Sequence, residues 1–255
     1  MFNYQAPEQL LSNKIILVTG ANRGIGRAAA LSFASYGATV ILVGKNEEGL
    51  NQVYDDIVSQ NLPEPVMVTL DLEKANYDQY LELQNHIGLT FGRLDGLVNN
   101  ASIISRLAPI NDTLVQDFSK VMKVNVEASF MLTKAMLPLL EEAPHASVVF
   151  TSSSVGRQGR AYWGAYAVSK FATEGLMQVL ADELENTSNI RVNTINPGAT
   201  ATDMRAQAYP AEEKGKNPEP HAIMPLYLYL MGDNSLGVNG QALDAQSGEP
   251  QPPAN

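Results

Sequence analysis

The feature that most constrains this chain is a strand that runs directly into a glycine-rich turn and a helix. Residues 14–19 read KIILVT, an apolar run typical of a strand buried in a parallel sheet. Gly20 ends that run, and residues 20–26, GANRGIG, open a helix that Gly37 closes. A strand, a glycine turn and a helix in this order predict the start of a βαβ unit.

The same alternation of short apolar runs and helical patterns continues along the chain. It predicts an α/β fold, a Rossmann-type doubly wound parallel β-sheet of about seven strands with helices on both faces. The predicted strands are 14–19, 38–43, 66–70, 94–98, 147–150, 190–195 and 240–245. The predicted helices after the first are 47–59, 75–91, a long one from Asn111 or Asp112 to about Leu137, 161–186 and 222–231.

Length and organisation favour one domain over residues 1–255. With 45% hydrophobic residues a chain of this length buries a sizeable core, and no repeat or linker divides it. Residues 1–13 are predicted to be a lead-in. The irregular segment 199–221 is predicted to be a mobile lid of the kind that covers a substrate, and 248–255 a flexible tail.

Composition excludes several classes of function. A net charge of -10 and no basic run argue against a nucleic-acid surface. The absence of cysteine excludes disulfides and thiol chemistry, and three scattered histidines predict no metal centre. No leader pattern or membrane-length apolar run is visible, so a soluble, cytoplasmic protein with no membrane partner is expected.

The glycine turn favours a nucleotide site. Glycines at a helix start let the backbone approach a pyrophosphate, whose charge the helix N-terminus favours. The spacing is G-x-x-x-G-x-G rather than the commoner G-x-G-x-x-G, but it lies between a strand and a helix. After the second strand, where NAD-binding chains usually have an acid, stand Gly44 and Lys45. With Arg23 also basic, NADP is favoured over NAD, unless both cations are ordinary surface residues.

A second cluster of chemical groups follows the strand at 147–150. Ser153 lies in a polar loop, and Tyr166 and Lys170 are four residues apart, on one face of the next predicted helix. A free tyrosine, with a pKa of about 10, is a poor acid or base at neutral pH. A nearby ammonium favours the phenolate, so the proton can be exchanged. The alternative is two solvated residues on an amphipathic helix.

Together these motifs resemble the short-chain dehydrogenase/reductases in type, order and spacing. They are TGANRGIG at 19–26, NNAS at 99–102, Asn125, Ser153, Tyr166 with Lys170, and PGATAT at 197–202. The resemblance covers nearly the whole chain. The segments SSSVGRQGRAYWGAYAVSKFATEG and MPLYLYLMGDNS are similar to the YciK-like bacterial subgroup of oxidoreductases. The resemblance therefore implies an NAD(P)-dependent oxidoreductase but names no substrate.

The resemblance also implies roles for single residues. Tyr166 is the expected acid/base at the substrate oxygen, and Lys170 would lower its pKa and hold the nicotinamide ribose. Ser153 would form a hydrogen bond to the substrate oxygen. Because Ser152 and Ser154 flank it, the residue in this role could also lie one position earlier or later. Asn125 would anchor a proton relay through water. The cofactor-binding residues implied are Gly20, Asn22, Arg23, Gly24, Ile25, Gly26, Lys45, Asp71, Leu72, Asn99, Ala101, Tyr166, Lys170, Pro197, Gly198, Thr200 and Thr202.

Two positions depart from the family pattern, and neither removes a catalytic group. Ser102 replaces the glycine usual after NNA, and the last strand runs into Asp244-Ala245-Gln246 without the usual glycine pair. The resemblance also implies a homodimer or homotetramer. The outward apolar faces of two long helices would form the interfaces.

The expected function is NADP(H)-dependent hydride transfer between nicotinamide and a small carbonyl/alcohol substrate. The alternative is a non-catalytic dinucleotide-binding sensor or scaffold on the same fold. A nucleotide-sugar epimerase fits poorly, because the chain after Pro197 is short for a substrate domain. For the substrate, Arg157, with Arg106 and Arg160, favours an anionic or polar molecule. Trp163 and Met204, with Tyr209, favour an apolar one instead.

Overall fold

In the computed structural model, residues 1–248 contain one seven-stranded sheet. All strand pairs are parallel, in the order β3-β2-β1-β4-β5-β6-β7, which confirms the predicted Rossmann-type architecture. The strands are β1 (Ile15–Thr19), β2 (Thr39–Gly44), β3 (Val66–Thr69), β4 (Gly96–Asn99), β5 (Ala146–Thr151), β6 (Ile190–Asn196) and β7 (Ala242–Asp244). Because the strand order reverses between β1 and β4, a crevice is expected at their carboxyl ends.

Eight α-helices accompany the sheet in the same part of the chain. They are α1 (Gly24–Ser35), α2 (Glu47–Val58), α3 (Tyr77–Phe91), α4 (Val115–Met122), α5 (Ala128–Glu141), α6 (Gly164–Leu184), α7 (Asp203–Ala208) and α8 (Met224–Met231). No described helix is both long and apolar enough to cross a membrane.

The two faces of the sheet carry separate apolar cores. Alternate residues of β1 point to opposite faces, so Ile16 joins one core and Leu17 the other. The first core includes Phe33 of α1, together with residues of α2 and α8. The second includes Leu132 of α5 and Met177 of α6. Burial on both faces is why the strands read as continuous apolar runs.

The prediction of one long helix from Asn111 or Asp112 to Leu137 is confirmed in outline, but its bounds differ and a π turn lies inside it. A 3-10 turn at Ile110–Asp112 is followed by α4, a π-helical turn at Lys123–Glu127 and then α5, which ends at Glu141. The π turn lies at Asn125, whose side chain bonds another segment. A helix accommodates such a local constraint by one wider turn.

Three other predicted boundaries also differ. Helix α6 begins at Gly164 rather than 161, because Tyr162 has a left-handed φ of 74° that interrupts a helix. The segment 199–221 is not wholly irregular, because Thr202 caps α7 by accepting a hydrogen bond from the Arg205 N–H. β7 is shorter than predicted. The predicted tail 248–255 lies outside the described residues except for Gly248.

Candidate active site

A cleft of about 620 Å³ opens at the carboxyl edge of the sheet. It is lined by the glycine turn, the ends of β2 to β6 and the start of α7. Most residues singled out from the sequence line it. They are Gly20, Asn22, Arg23, Gly24, Ile25, Lys45, Asp71, Leu72, Ala101, Ser153, Trp163, Tyr166, Pro197, Gly198, Thr200, Thr202 and Met204.

Other sequence-predicted residues, including Arg106, Arg160 and Tyr209, are not part of that lining. Gly26, Asn99, Asn125 and Lys170 are buried behind it. Arg157 lies elsewhere, as described below.

The glycine turn is shaped by contacts that exclude side chains. Gly20 and Gly24 have left-handed φ angles of 67° and 55°. A Cβ at Gly26 would lie 2.2 Å from the Gly20 carbonyl oxygen. Because Arg23, the N-cap residue of α1, makes no side-chain capping bond, the first amides of α1 keep their capacity for an anion. The turn therefore fits a pyrophosphate.

Both cations suggested for a ribose phosphate lie in the cleft lining. Lys45 directly follows β2, and Asp71 and Leu72 follow β3 beside it. Arg23 is already paired, since its Nη1 lies 2.8 Å from Asp203 Oδ2 and both side chains are mostly exposed. An exposed pair of this kind is weak, so a phosphate can compete for the guanidinium.

The ends of β1 and β4 are joined by a compact set of hydrogen bonds. The amides of Asn100 and Ala101 both donate to Thr19 Oγ1 at 3.0 Å, and Asn100 Nδ2 donates to the Thr19 carbonyl oxygen. Behind them, Asn99 Nδ2 donates to Thr133 Oγ1 at 2.9 Å, while its buried Oδ1 has no partner. These bonds fix the floor of the cleft. Thr19, Thr133 and Asn100 were not predicted, although Thr19 and Asn100 lie within the quoted motifs.

Asn125 connects three segments at the π turn. Its Oδ1 accepts from the Ile103 N–H at 2.8 Å, and its Nδ2 donates to the Ile103 carbonyl and to Ser169 Oγ, both at 3.0 Å. The side chain therefore ties the loop after β4 to α6. Ser169 lies between Tyr166 and Lys170, and sequence spacing gave no reason to single it out.

Tyr166 and Lys170 are both buried on one face of α6, as the four-residue spacing predicts. Lys170 Nζ lies 5.5 Å from the centre of the Tyr166 ring and donates to the Thr151 carbonyl at 2.7 Å. Thr151 in turn shares a hydrogen bond with the Tyr227 hydroxyl at 3.0 Å. Thr151 and Tyr227 were missed because only the tertiary fold brings them to this site.

The two pKa shifts in this pair have the same main cause. Burial raises the pKa of Tyr166 to about 12, and the Ser153 hydroxyl acts in the opposite direction. Burial lowers the pKa of Lys170 to about 8, and Glu174 opposes that shift. The expected lowering of the Tyr166 pKa is therefore wrong for this structure. Loss of solvent outweighs the opposing hydrogen bond with Ser153.

Arg157 does not belong to the cleft, which corrects its prediction as a substrate residue. Its Nε lies 3.3 Å from Glu174 Oε1, and its Nη1 lies 3.0 Å from Asp244 Oδ1. Glu174 is buried and also accepts from Thr194 Oγ1 at 2.7 Å. The arginine is needed there because a buried carboxylate is costly without a cation.

Comparisons with known proteins agree with this geometry. A family model for short chain dehydrogenases matches residues 14–213. The uncharacterized oxidoreductase YciK of Escherichia coli K12 is 52% identical over 96% of this chain and 97% of its own length. The crystal structure of a short chain dehydrogenase from Shigella flexneri has a TM-score of 0.93 at 50% identity, covering 99% of this chain and 98% of that one.

One further solved structure was determined with a cofactor. It is a protein from Escherichia coli CFT073 complexed with NADPH, with a TM-score of 0.92 at 52% identity. It covers 94% of this chain and 100% of that one.

The buried ammonium of Lys170 predicts a pH-dependent stability difference. Its pKa is about 8 in the folded protein against an ordinary 10.5, so the folded state releases a proton in that range while the unfolded chain keeps it. As pH rises from 8 to 10.5, the native protein should gain about 3 kcal/mol in unfolding free energy relative to Lys170→Met. Urea unfolding at several pH values measures this difference.

The matched control for that measurement is Lys214→Met, which removes an exposed lysine. Its difference from the native protein should stay constant over the same range. A Lys170→Met difference that is also constant with pH would show that the Lys170 ammonium is not buried.

Proposed function

Because the chain belongs to the short-chain dehydrogenase family, we propose that it is an NADP(H)-dependent oxidoreductase that interconverts a small carbonyl compound and its alcohol. The observation that carries this proposal is that Ser153 and Tyr166 line the cleft, with Lys170 buried behind Tyr166, beside a glycine turn shaped for a pyrophosphate. The NADPH in a relative that is 52% identical supports the cofactor. NADPH, when bound, supplies the hydride that the carbonyl carbon receives.

In this proposal Tyr166 gives the proton to the substrate oxygen. A tyrosine with a pKa of about 12 is protonated at neutral pH, so it rests in the form that carbonyl reduction requires. Lys170, with a pKa of about 8, is mainly cationic at neutral pH and attracts the phenolate left behind. Ser153 orients the same oxygen by a hydrogen bond.

Asn125 is proposed as a positioning residue. Both hydrogens of its Nδ2 are used on Ile103 and Ser169, so the side chain holds the cleft loop against α6. This differs from the expected role as anchor of a water relay. The proposal keeps Asn125 important for the geometry around Tyr166.

Replacing Tyr166 by Phe removes the proton donor and leaves the ring in place. Turnover of NADPH with a panel of ketones, aldehydes and quinones should fall by about 10³-fold. NADPH binding, followed by nicotinamide fluorescence, should be unchanged. Tyr162→Phe is the matched control, because that side chain is 61% exposed outside the helix. Normal turnover by Tyr166→Phe would refute the assigned role.

The choice of NADP over NAD is proposed to rest on Lys45 and Arg23. Removing a cation that bonds the 2′-phosphate should weaken NADPH binding by about tenfold and leave NADH binding unchanged. Lys45→Ala and Arg23→Ala test this by fluorescence titration and thermal stabilisation. Lys214→Ala, which removes an exposed lysine outside the cleft lining, is the control. Equal binding of NADPH and NADH by the native protein would contradict the assignment.

We also propose a homodimer or homotetramer, built on the outer surfaces of α4 to α6. Large apolar side chains are exposed there, including Phe130 at 48%, Phe171 at 46% and Val179 at 57%. Phe171→Glu should therefore lower the molar mass measured by sedimentation equilibrium. Leu89→Glu, at an exposed position on α3, should not. A native protein that sediments as a monomer would end this proposal.

A further inference from the structure

A third apolar cluster, separate from the two cores, surrounds Tyr166. Ile104, Val155 and Ala167 are buried with it. Leu107, Trp163, Met204 and Ala208 pack against them and are half-buried. Ile104, Trp163, Met204 and Ala208 also line the cleft. We call these four residues the apolar mouth. They supply apolar surface that remains within reach of a ligand.

Aromatic rings extend that surface from Tyr166 to Tyr209, in the segment 199–221. The Trp163 ring centre lies 5.7 Å from that of Tyr166 and 5.9 Å from that of Tyr209. The Tyr209 hydroxyl accepts a hydrogen bond from Arg160 at 2.9 Å, which holds the outer ring in place. Trp163 thus presents a large flat apolar surface next to the phenol.

Arg106 and Arg160 lie outside the cleft lining, and Arg205, which lines this end of the cleft, already has a carboxylate partner. Arg205 makes two hydrogen bonds to the Glu212 carboxylate, at 2.7 and 2.6 Å, and lies 3.8 Å above the Tyr209 ring. Arg157 is bound to Glu174 and Asp244 outside the lining. Asp203, the other charged residue that α7 brings to the cleft, pairs with Arg23.

From this juxtaposition we infer that the substrate is a neutral ketone, or the matching alcohol, carried on an apolar ring that packs against Trp163. The inference rests on the proposed function, because it names the substrate class of the same site. Two hydroxyls, from Ser153 and Tyr166, suit a carbonyl oxygen. A carboxylate on the ring would enter the apolar mouth without a cation to receive it. The anionic substrate considered from the sequence is therefore disfavoured.

The chain contains a single tryptophan, so intrinsic fluorescence reports directly on Trp163. The protein saturated with NADP⁺ is titrated with 4-methylcyclohexanone and with 4-oxocyclohexanecarboxylate, which differ in a methyl group against a carboxylate. 4-Methylcyclohexanone should change the Trp163 emission, with a Kd at least about tenfold lower than that of 4-oxocyclohexanecarboxylate. Equal or tighter binding of the carboxylate, or no response to either ketone, would overturn the inference.

A charge placed in the apolar mouth provides the reciprocal test. Met204→Lys adds an unpaired cation to the apolar mouth and keeps Trp163. The ratio of the two Kd values should therefore shift by at least about tenfold in favour of the carboxylate compound. Leu89→Lys, on the exposed surface of α3, should leave both affinities unchanged. If Met204→Lys leaves the preference unchanged, the neutral mouth does not select the substrate.

The cofactor titration separates this inference from the proposed function. Failure to bind NADPH would refute the proposed oxidoreductase. Normal NADPH binding together with a preference for the carboxylate would refute the substrate class alone. An unchanged melting temperature in Met204→Lys shows that the variant is folded.

Discussion

The close approach of two chain segments at the end of β1 sets the form of the cleft. A Cβ at Gly26 would lie 2.2 Å from the Gly20 carbonyl oxygen and 2.6 Å from Asn100 Nδ2. Only a glycine lets α1 begin directly against the segment after β4. Thr19 then joins the two segments through hydrogen bonds from the Asn100 and Ala101 amides. The strand order reverses at this point, so this close approach lies under the cleft.

A buried polar network supports the other half of the site. Lys170 donates to Thr151, and Asn125 holds Ser169 on the same helix. Burying such groups is costly unless each has a partner, so the network permits few alternative arrangements. It holds Tyr166 in a site with little water, where the phenol keeps its proton. Positioning and acidity therefore have one physical origin, the burial of α6 against β5 and β6.

The fold was largely predictable because its signals are local. Apolar runs and glycine punctuation indicate buried strands and helix ends without knowledge of the partners. The Tyr166–Lys170 pairing was likewise predictable from helical periodicity. By contrast, the π turn at Asn125 depends on hydrogen bonds to Ile103, which is distant in sequence. The pKa of Tyr166 depends on how completely the whole fold removes solvent from the phenol, and the spacing of residues in the sequence does not predict that burial.

Arg157 shows the same limit for charged residues. In sequence it is a loop arginine close to the site serine, and nothing local distinguishes a residue that faces a ligand from one that faces a buried carboxylate. The fold settles the matter by bringing Glu174 and Asp244 within 3.3 and 3.0 Å of its guanidinium nitrogens.

The two ends of the cleft therefore differ in the positive charge that they offer to a ligand. Lys45 follows β2, near the glycine turn, whereas Arg205, which lines the other end, is paired with the Glu212 carboxylate. Such a division attracts a phosphate at one end and leaves the other end suited to apolar surface, because desolvation penalises a charged group only where no opposite charge receives it.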